Sequence, residues 1–324
     1  MVFGIMKRLI LVLLCTAGLS AGAQEKDSLL VMFWNMENFF DWTDQGTGDS
    51  DREFSSYGSR HWTKGRFHTK CDAISKSLMW IGDEYGRIPD FIGLAEIENK
   101  GVLSRLLSST LLRKYDYGII HYDSKDRRGI DVAALYRKSS MTPISTTVIS
   151  PENLSTRDIL HAQMLLTDGS TVDFIVNHHP SKYGGEEESM PKRMHVMGKL
   201  KHLTDSLNNT VHRDPNNVSI VAMGDFNDTP DAPQFCILDS TLINLGLEPH
   251  KNGEGTIRYK GKWELIDFFL TSPHIEKSEM HIIRIPFLMK YEKKYPGEKP
   301  WRTYSGPRYI GGVSDHCPVC MWIR

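Results

Sequence analysis

Six short polar motifs stand at the ends of apolar runs along nearly the whole chain, and this arrangement constrains the fold more than any composition figure. In order they are Trp34-Asn35-Met36-Glu37-Asn38, Leu94-Ala95-Glu96, Asn177-His178-His179-Pro180, Gly224-Asp225-Phe226-Asn227, Ile266-Asp267 and Ser314-Asp315-His316. Short apolar runs bounded by such breaks read as buried strands. Carboxylates, amides and imidazoles recurring at strand tips point to one site assembled from many strands.

The strands expected on this basis are Leu29–Trp34, Phe91–Ala95, Ile130–Tyr136, Ile159–Leu165, Val172–Asn177, Val218–Met223, Leu265–Leu270 and Val319–Ile323. Two helices are expected where apolar residues recur at three and four. One carries Cys71, Ile74, Leu78 and Ile81; the other carries Met194, Met197, Leu200, Leu203 and Leu207, read as a packed face. Many strands in mixed order with few helices argue for two sheets stacked face to face with helices outside. Two long polar stretches, Asp41 to Gly65 and Lys290 to Gly312, are expected to serve binding.

No linker or repeat divides the 324 residues, so a single domain over 24–324 is expected. It follows a signal peptide, residues 1–23, with Lys7 and Arg8 before the apolar run Leu9 to Cys15 and a small-residue cleavage site at Ala21-Gly22-Ala23. That run is too short to span a bilayer, which leaves an exported chain, periplasmic or secreted, with no transmembrane segment. Export would permit disulfides among Cys71, Cys236, Cys317 and Cys320, without fixing their pairing. Cys317 and Cys320 alone lack the second pair that structural zinc needs. A net charge of −1 gives no global positive field, so a nucleic-acid partner would have to meet a local basic rim. No protein partner is evident, and a monomer is expected.

The motif chemistry suits phosphodiester hydrolysis. A hard cation neutralises phosphoryl oxygens and takes oxygen ligands from carboxylates and water. Glu96 is the first candidate ligand, with Asn35, Glu37 and Asp315 in or beside the first shell. Asp225 suits orienting and deprotonating a water, and Asn227 suits hydrogen bonding to the phosphorus centre. His316 and His178 could stabilise a phosphoryl oxygen or a leaving group if carboxylates hold them. Asp267 is the expected partner of His316, and Asp131 a weaker candidate for His178. His179 is expected to be structural or to cover the site.

Together these motifs resemble the endonuclease/exonuclease/phosphatase superfamily, with its deoxyribonuclease I-like and exonuclease III-like members, over about residues 29 to 324. Gly224-Asp225-Phe226-Asn227 and Ser314-Asp315-His316 are the most specific elements, supported by Trp34-Asn35 and Glu96. The resemblance implies an α/β fold, a four-layered α-β-β-α sandwich of two mixed β-sheets, and a magnesium-dependent hydrolase, with manganese or calcium as alternatives. It places Glu96 on the metal with Asn35, Glu37 and Asp315 nearby. Asp225 and Asn227 go to the attacking water, His316 pairs with Asp267, and His178 matches the family's mid-chain histidine. Arg157 is similar to a phosphate-contacting arginine of the deoxyribonuclease-like members. Ala95 stands where many members have Gln, and Glu37 is longer than their Asp. Trp34–Asp41, Glu96–Asn99 and Arg128–Arg137 look most like exported bacterial endonuclease-like members.

The leading substrate is nucleic acid, because Lys290, Lys293, Lys294, Lys299, Arg302 and Arg308 are interleaved with Tyr291, Tyr295, Trp301, Tyr304 and Tyr309. Trp42, Arg60, His61 and Trp62 could rim the same site. A phospholipid headgroup or small phosphoester is the alternative.

Overall fold

The computed structural model describes residues 28–46, 48–209 and 218–324. The expected signal peptide and its cleavage site lie outside them. The chain runs β1 (Leu29–Phe39), α1 (Lys64–Tyr85), β2 (Phe91–Ile97), α2 (Lys100–Ser109), β3 (Tyr117–His121) and β4 (Asp131–Arg137). Next come β5 (Met141–Ile149), β6 (Ile159–Leu166), β7 (Thr171–His178), α3 (Glu186–Asn208), β8 (Ser219–Asp225), β9 (Ile243–Asn244) and α4 (Leu247–Lys251). The last part holds β10 (Ile257–Tyr259), β11 (Lys262–Glu264), β12 (Asp267–Thr271), β13 (His281–Ile282), β14 (Met289–Glu292) and β15 (Gly297–Pro300). It ends with β16 (Tyr304–Ser305), β17 (Arg308–Tyr309) and β18 (Val319–Ile323).

Two mixed six-stranded sheets result, ordered β13-β18-β1-β2-β4-β3 and β5-β6-β7-β8-β12-β9. The alternation along β1 shows why its apolar run is unbroken. Val31 and Phe33 face the second sheet, while Leu30, Met32 and Trp34 pack with Phe67, Cys71, Ile74 and Leu78 of α1. Between the sheets Phe91 of β2 stacks on Phe174 of β7, ring centroids 3.9 Å apart. Gly93 lets the layers close: a Cβ there would lie 2.6 Å from Met223 Sδ. On the far side α3 buries Val196, Met197 and Leu200 in the same core. Helix, sheet, sheet, helix is the expected four-layered α/β sandwich.

Helix ends follow local chemistry. Thr63 caps α1 by accepting from Arg66 N, and Gly86 ends it at φ 72°. Three glutamates, Glu186 to Glu188, occupy the first turn of α3, where the helix dipole favours negative charge. Met194 leaves the expected stripe. It is 42% exposed, because Arg193, Val196, Met197 and Leu200 define the buried face. Among the described residues no disulfide forms: Cys71, Cys317 and Cys320 are buried, Cys236 is exposed, and these four are thiols. Among the described residues no helix is long and apolar enough to cross a membrane.

The two polar stretches are structured. Lys290 to Gly312 contains the β14–β15 and β16–β17 ribbons. Tyr304 and Tyr309 pack against Trp62, which is 1% exposed and donates Nε1–H to Phe40 O. Trp62 therefore holds its loop to the core and does not rim the site. Trp42 likewise packs edge-on against Phe67.

Candidate active site

Strand direction gathers the motifs. β1 and β2 run parallel with Asn35 opposite Ala95, so Glu37 and Glu96 emerge at one end. In the second sheet β7 and β8 run parallel with His178 opposite Asp225. β12 runs antiparallel to β8 with Asp267 opposite Asp225, and β18, antiparallel to β1, brings in the Ser314–His316 turn just ahead of it. All six motifs converge on a single edge of the sandwich. The backbone there leaves ordinary strand geometry: Glu37, Asn38, Glu96 and Asn227 have φ of 45°, 51°, 62° and 51°. Left-handed backbone at non-glycine residues stores strain that clusters at functional sites.

Asp225 is the hub. It is 2% exposed; its Oδ2 accepts from Asn35 Nδ2 at 3.0 Å and its Oδ1 from Asn227 N at 2.9 Å. Burial, then the nearby charge of Asp267, push its carboxyl up to about 7, against the pull of His316 and the two amides. His316 Nδ1–H donates to Asp267 Oδ2 at 2.8 Å, and its Nε2 lies 4.0 Å from Asp225 Oδ2. Thr256 Oγ1 also donates to Asp267 Oδ2, fixing the carboxylate that orients the ring. Burial opposes charge on His316, but Asp267, then Asp225 and Asp315, outweigh it and hold the ring well above the usual imidazole range.

His178 behaves differently. Its Nε2 is 3.5 Å from Asp225 Oδ2, and burial, reinforced by Arg157 and Arg128, holds its pKa well below the usual value. Its buried Nδ1 meets no hydrogen-bond partner. Nor is Asp131 its partner: Asp131 lies 3.3 Å from His121 Nε2 and accepts from Ser124 N, because β4 pairs with β3. His179 is buried, its main-chain N–H donating to Asp225 O and its carbonyl accepting from Asn227 Nδ2 and Arg157 Nη2, while neither ring nitrogen meets a hydrogen-bond partner. Arg157 is 6% exposed and also donates to Asp126, so it braces the site from beneath. Arg128, 3.7 Å from Glu96 Oε1, is the more exposed cation on that side.

A second group lies beside this hub. Arg302 donates to Glu37 Oε1 and Asp315 Oδ2, both at 3.1 Å, and Thr303 N donates to Glu37 Oε2 at 2.7 Å. Glu96 Oε2 accepts from Asn38 N at 2.7 Å. Lys70 Nζ, buried on the core face of α1, donates to Glu37 O at 2.7 Å and to Thr303 Oγ1 at 3.1 Å. Burial, then Asp315, raise Glu37 to about 8, and burial lowers Lys70 to about 8 against the pull of Glu37, Glu96 and Asp315. Three carboxylates thus crowd two cations. Such an oxygen-rich, charge-deficient group fits a hard divalent cation at Glu96, with Glu37 and Asp315 beside it. Asn35 has both amide atoms engaged, Oδ1 by Glu37 N and Nδ2 by Asp225, so it bridges the two groups. Ligand atoms of Asp225, Asp267 and His316 also lie within 4.8 Å of one another and could grip an ion. Lys70 and Thr256 carry no motif; the one signal for Lys70 is a lysine on the buried helix face, between Phe67 and Cys71.

The chain belongs to the Endonuclease/Exonuclease/phosphatase family, whose sequence profile matches residues 30–324. No curated protein is similar enough in sequence to match it. Among solved structures it is similar to D. rerio TDP2 humanised by 14 mutations, at 13% identity and TM-score 0.58, covering 92% of this chain and 99% of that one. It is similar as well to the mannosyl-6-phosphatase of Bacteroides thetaiotaomicron VPI-5482, at 14% identity and TM-score 0.59, covering 91% and 99%. D. rerio TDP2 complexed with a single-strand DNA product matches at 14% identity and TM-score 0.55, covering 91% and 98%. At these identities the likeness establishes the shared fold. The family and the strand-end site together define a phosphoester hydrolase.

Proposed function

We propose that this chain is an exported, divalent-metal-dependent phosphodiester hydrolase that cuts nucleic acid, as a single domain over 24–324 freed of residues 1–23. The observation that carries the hydrolytic reading is a charged His316–Asp267 pair, 2.8 Å apart, facing a buried Asp225 poised near neutrality. A magnesium ion bound at Glu96, with manganese or calcium as alternatives, would supply positive charge for the phosphoryl oxygens. Asp225 accepts a proton from the attacking water, its pKa near 7 matching general-base work at neutral pH. Asn227 is held by Asp225 Oδ1 and His179 O to present its amide at the phosphorus centre. His316, kept charged by Asp267, stabilises a phosphoryl oxygen, with His178 beside Asp225.

What favours nucleic acid is the cleft of about 540 Å³ that opens onto Asn227, Asp315 and His316. Its walls come from the β10–β11 and β14–β15 hairpins, which bring Arg258, Lys260, Lys294 and Lys299 together with Tyr259 and Tyr295. Cations to track phosphates and rings to stack bases suit a single strand. The TDP2 complex named above holds a single-strand DNA product, and a relative that is a sugar phosphatase marks the alternative, a small phosphoester. Purified protein offered plasmid, single-stranded DNA, RNA, sphingomyelin and a phosphomonoester, with magnesium and then with chelator, separates the readings. Chelator-sensitive cutting of nucleic acid is expected. Turnover of the monoester alone would replace the nuclease reading with the phosphatase one, and no turnover of any substrate would overturn both.

A further inference from the structure

The β3–β4 hairpin gathers three ligating side chains that the hydrolytic site leaves unused. His121 ends β3, Asp123 follows it in the loop, and Asp131 opens β4. One ligand atom from each lies within 4.8 Å of those of the other two. The three share no residue with the groups around Glu96, Asp225 and His316.

The His121 side chain is 4% exposed, and its buried Nε2 meets no hydrogen-bond partner. A buried polar atom left in that state is rare and costly. This nitrogen lies 3.3 Å from Asp131 Oδ2, and Nδ1 of the same ring lies 3.9 Å from Asp123 Oδ1. Asp131 is oriented by Ser124 N, which donates to its Oδ1 at 2.9 Å and leaves Oδ2 for the ring side. A plain hydrogen-bonded His–Asp pair would satisfy Nε2, and here it does not. Among the described residues no lysine or arginine forms an ion pair with Asp123 or Asp131.

Zinc binds imidazole nitrogen and carboxylate oxygen at about 2.0–2.2 Å, and at a tetrahedral angle two such ligand atoms stand about 3.3 Å apart. Nε2 and Oδ2 already have that separation. Asp123, with its side chain 88% exposed, closes the set from the solvent side. A cavity of about 410 Å³ lined by Asp123 and Asp131 admits water as a fourth ligand. An imidazole among two carboxylates suits zinc better than magnesium or calcium, which take oxygen ligands.

We propose that His121, Asp123 and Asp131 hold a structural zinc ion, separate from the hydrolytic metal. The ion ties the end of β3 to the start of β4 and closes the loop 122–130. That loop carries Asp126, which accepts from Arg157 at 3.1 Å, and Arg128, 3.7 Å from Glu96 Oε1. Zinc therefore steadies the cationic flank of the hydrolytic site without entering the chemistry.

Calorimetric titration of zinc into the whole protein, with magnesium present, tests this in His121→Gln, Asp123→Asn and His316→Ala. Binding is read without turnover, so the outcome is independent of the substrate assigned above. Each of the first two variants is expected to lose one zinc equivalent that His316→Ala keeps. Zinc at ten times its Kd should slow amide exchange of residues 122–130 about tenfold in wild type and in His316→Ala, but not in Asp123→Asn. If His121→Gln fails to fold, Asp123→Asn, altered only at an exposed side chain, decides. Unchanged stoichiometry in the folded variants, loss of all zinc binding on His316→Ala, or zinc-independent exchange in wild type would each overturn the site.

Discussion

Asp225 shows how far one residue depends on others distant in sequence. Its charge is set by burial and Asp267, its oxygens are oriented by Asn35 and Asn227, and His316 offsets its cost. Asp225→Asn or His316→Ala should lower kcat by about 10²-fold or more, the usual loss of a general base or charge stabiliser, measured on an oligonucleotide with magnesium. The pH dependence has a definite sign. Asp225 works deprotonated and its carboxyl is raised to about 7, so kcat/KM should fall as pH drops through that value. His316 works protonated and is held well above 6.5, so the alkaline loss comes only far above that value. Asp267→Asn weakens the interaction that keeps His316 charged and should bring the alkaline limb down; an unmoved limb would deny the pairing.

The motif residues could be read from sequence because each interrupts an apolar run, as Asp225 ends β8. Lys70 and Arg302 were less legible. Arg302 meets Glu37 across 265 positions, and no local pattern records such a meeting. Asp131 misled for the same reason: β4 lies between β2 and β3, and the histidine that sheet order brings to Asp131 is His121 of β3.

At the scale of elements, two hairpins give the site its substrate wall. Lys260 and Lys294 are exposed on the cleft and belong to no catalytic group. Lys260→Ala with Lys294→Ala should raise KM for single-stranded DNA while sparing kcat. It should also flatten the salt dependence by about 0.7 per lost phosphate contact. Equal salt slopes for wild type and variant would remove these lysines from the binding path. Elements with strong apolar patterning were visible in the sequence, β1, β2, β6, β7 and β8 among them. β5 was not: its Thr-rich run is mostly solvent-facing at a sheet edge, so burial imposes no alternation. The missed α2 is ten residues long and buries only Val102, Leu103 and Leu106, too few for a clear period. β1 continues past Trp34 to Phe39 through polar residues, with a register shift between Asn35 and Phe39 where Glu37 and Asn38 turn left-handed.

Across the whole molecule, the site exists because two sheets are held in one alignment. Phe91 on Phe174 and the close approach of Gly93 to Met223 set that alignment. Phe91→Ala should destabilise the fold by about 3–5 kcal/mol in denaturant unfolding, the range for a large buried ring. Its kcat should stay near wild type well below the melting temperature, because no site residue is touched. Sandwich architecture was legible from the number and order of apolar runs, since few folds bury so many strands with so few helices. Union of the hydrolytic groups is the larger claim. Its most direct test is kcat of Asp225→Asn, His316→Ala and the double variant on one oligonucleotide. Residues that act as a unit lose little more together than apart. The double variant should fall within about tenfold of the slower single variant; losses that multiply would mean the two groups do not serve the same step.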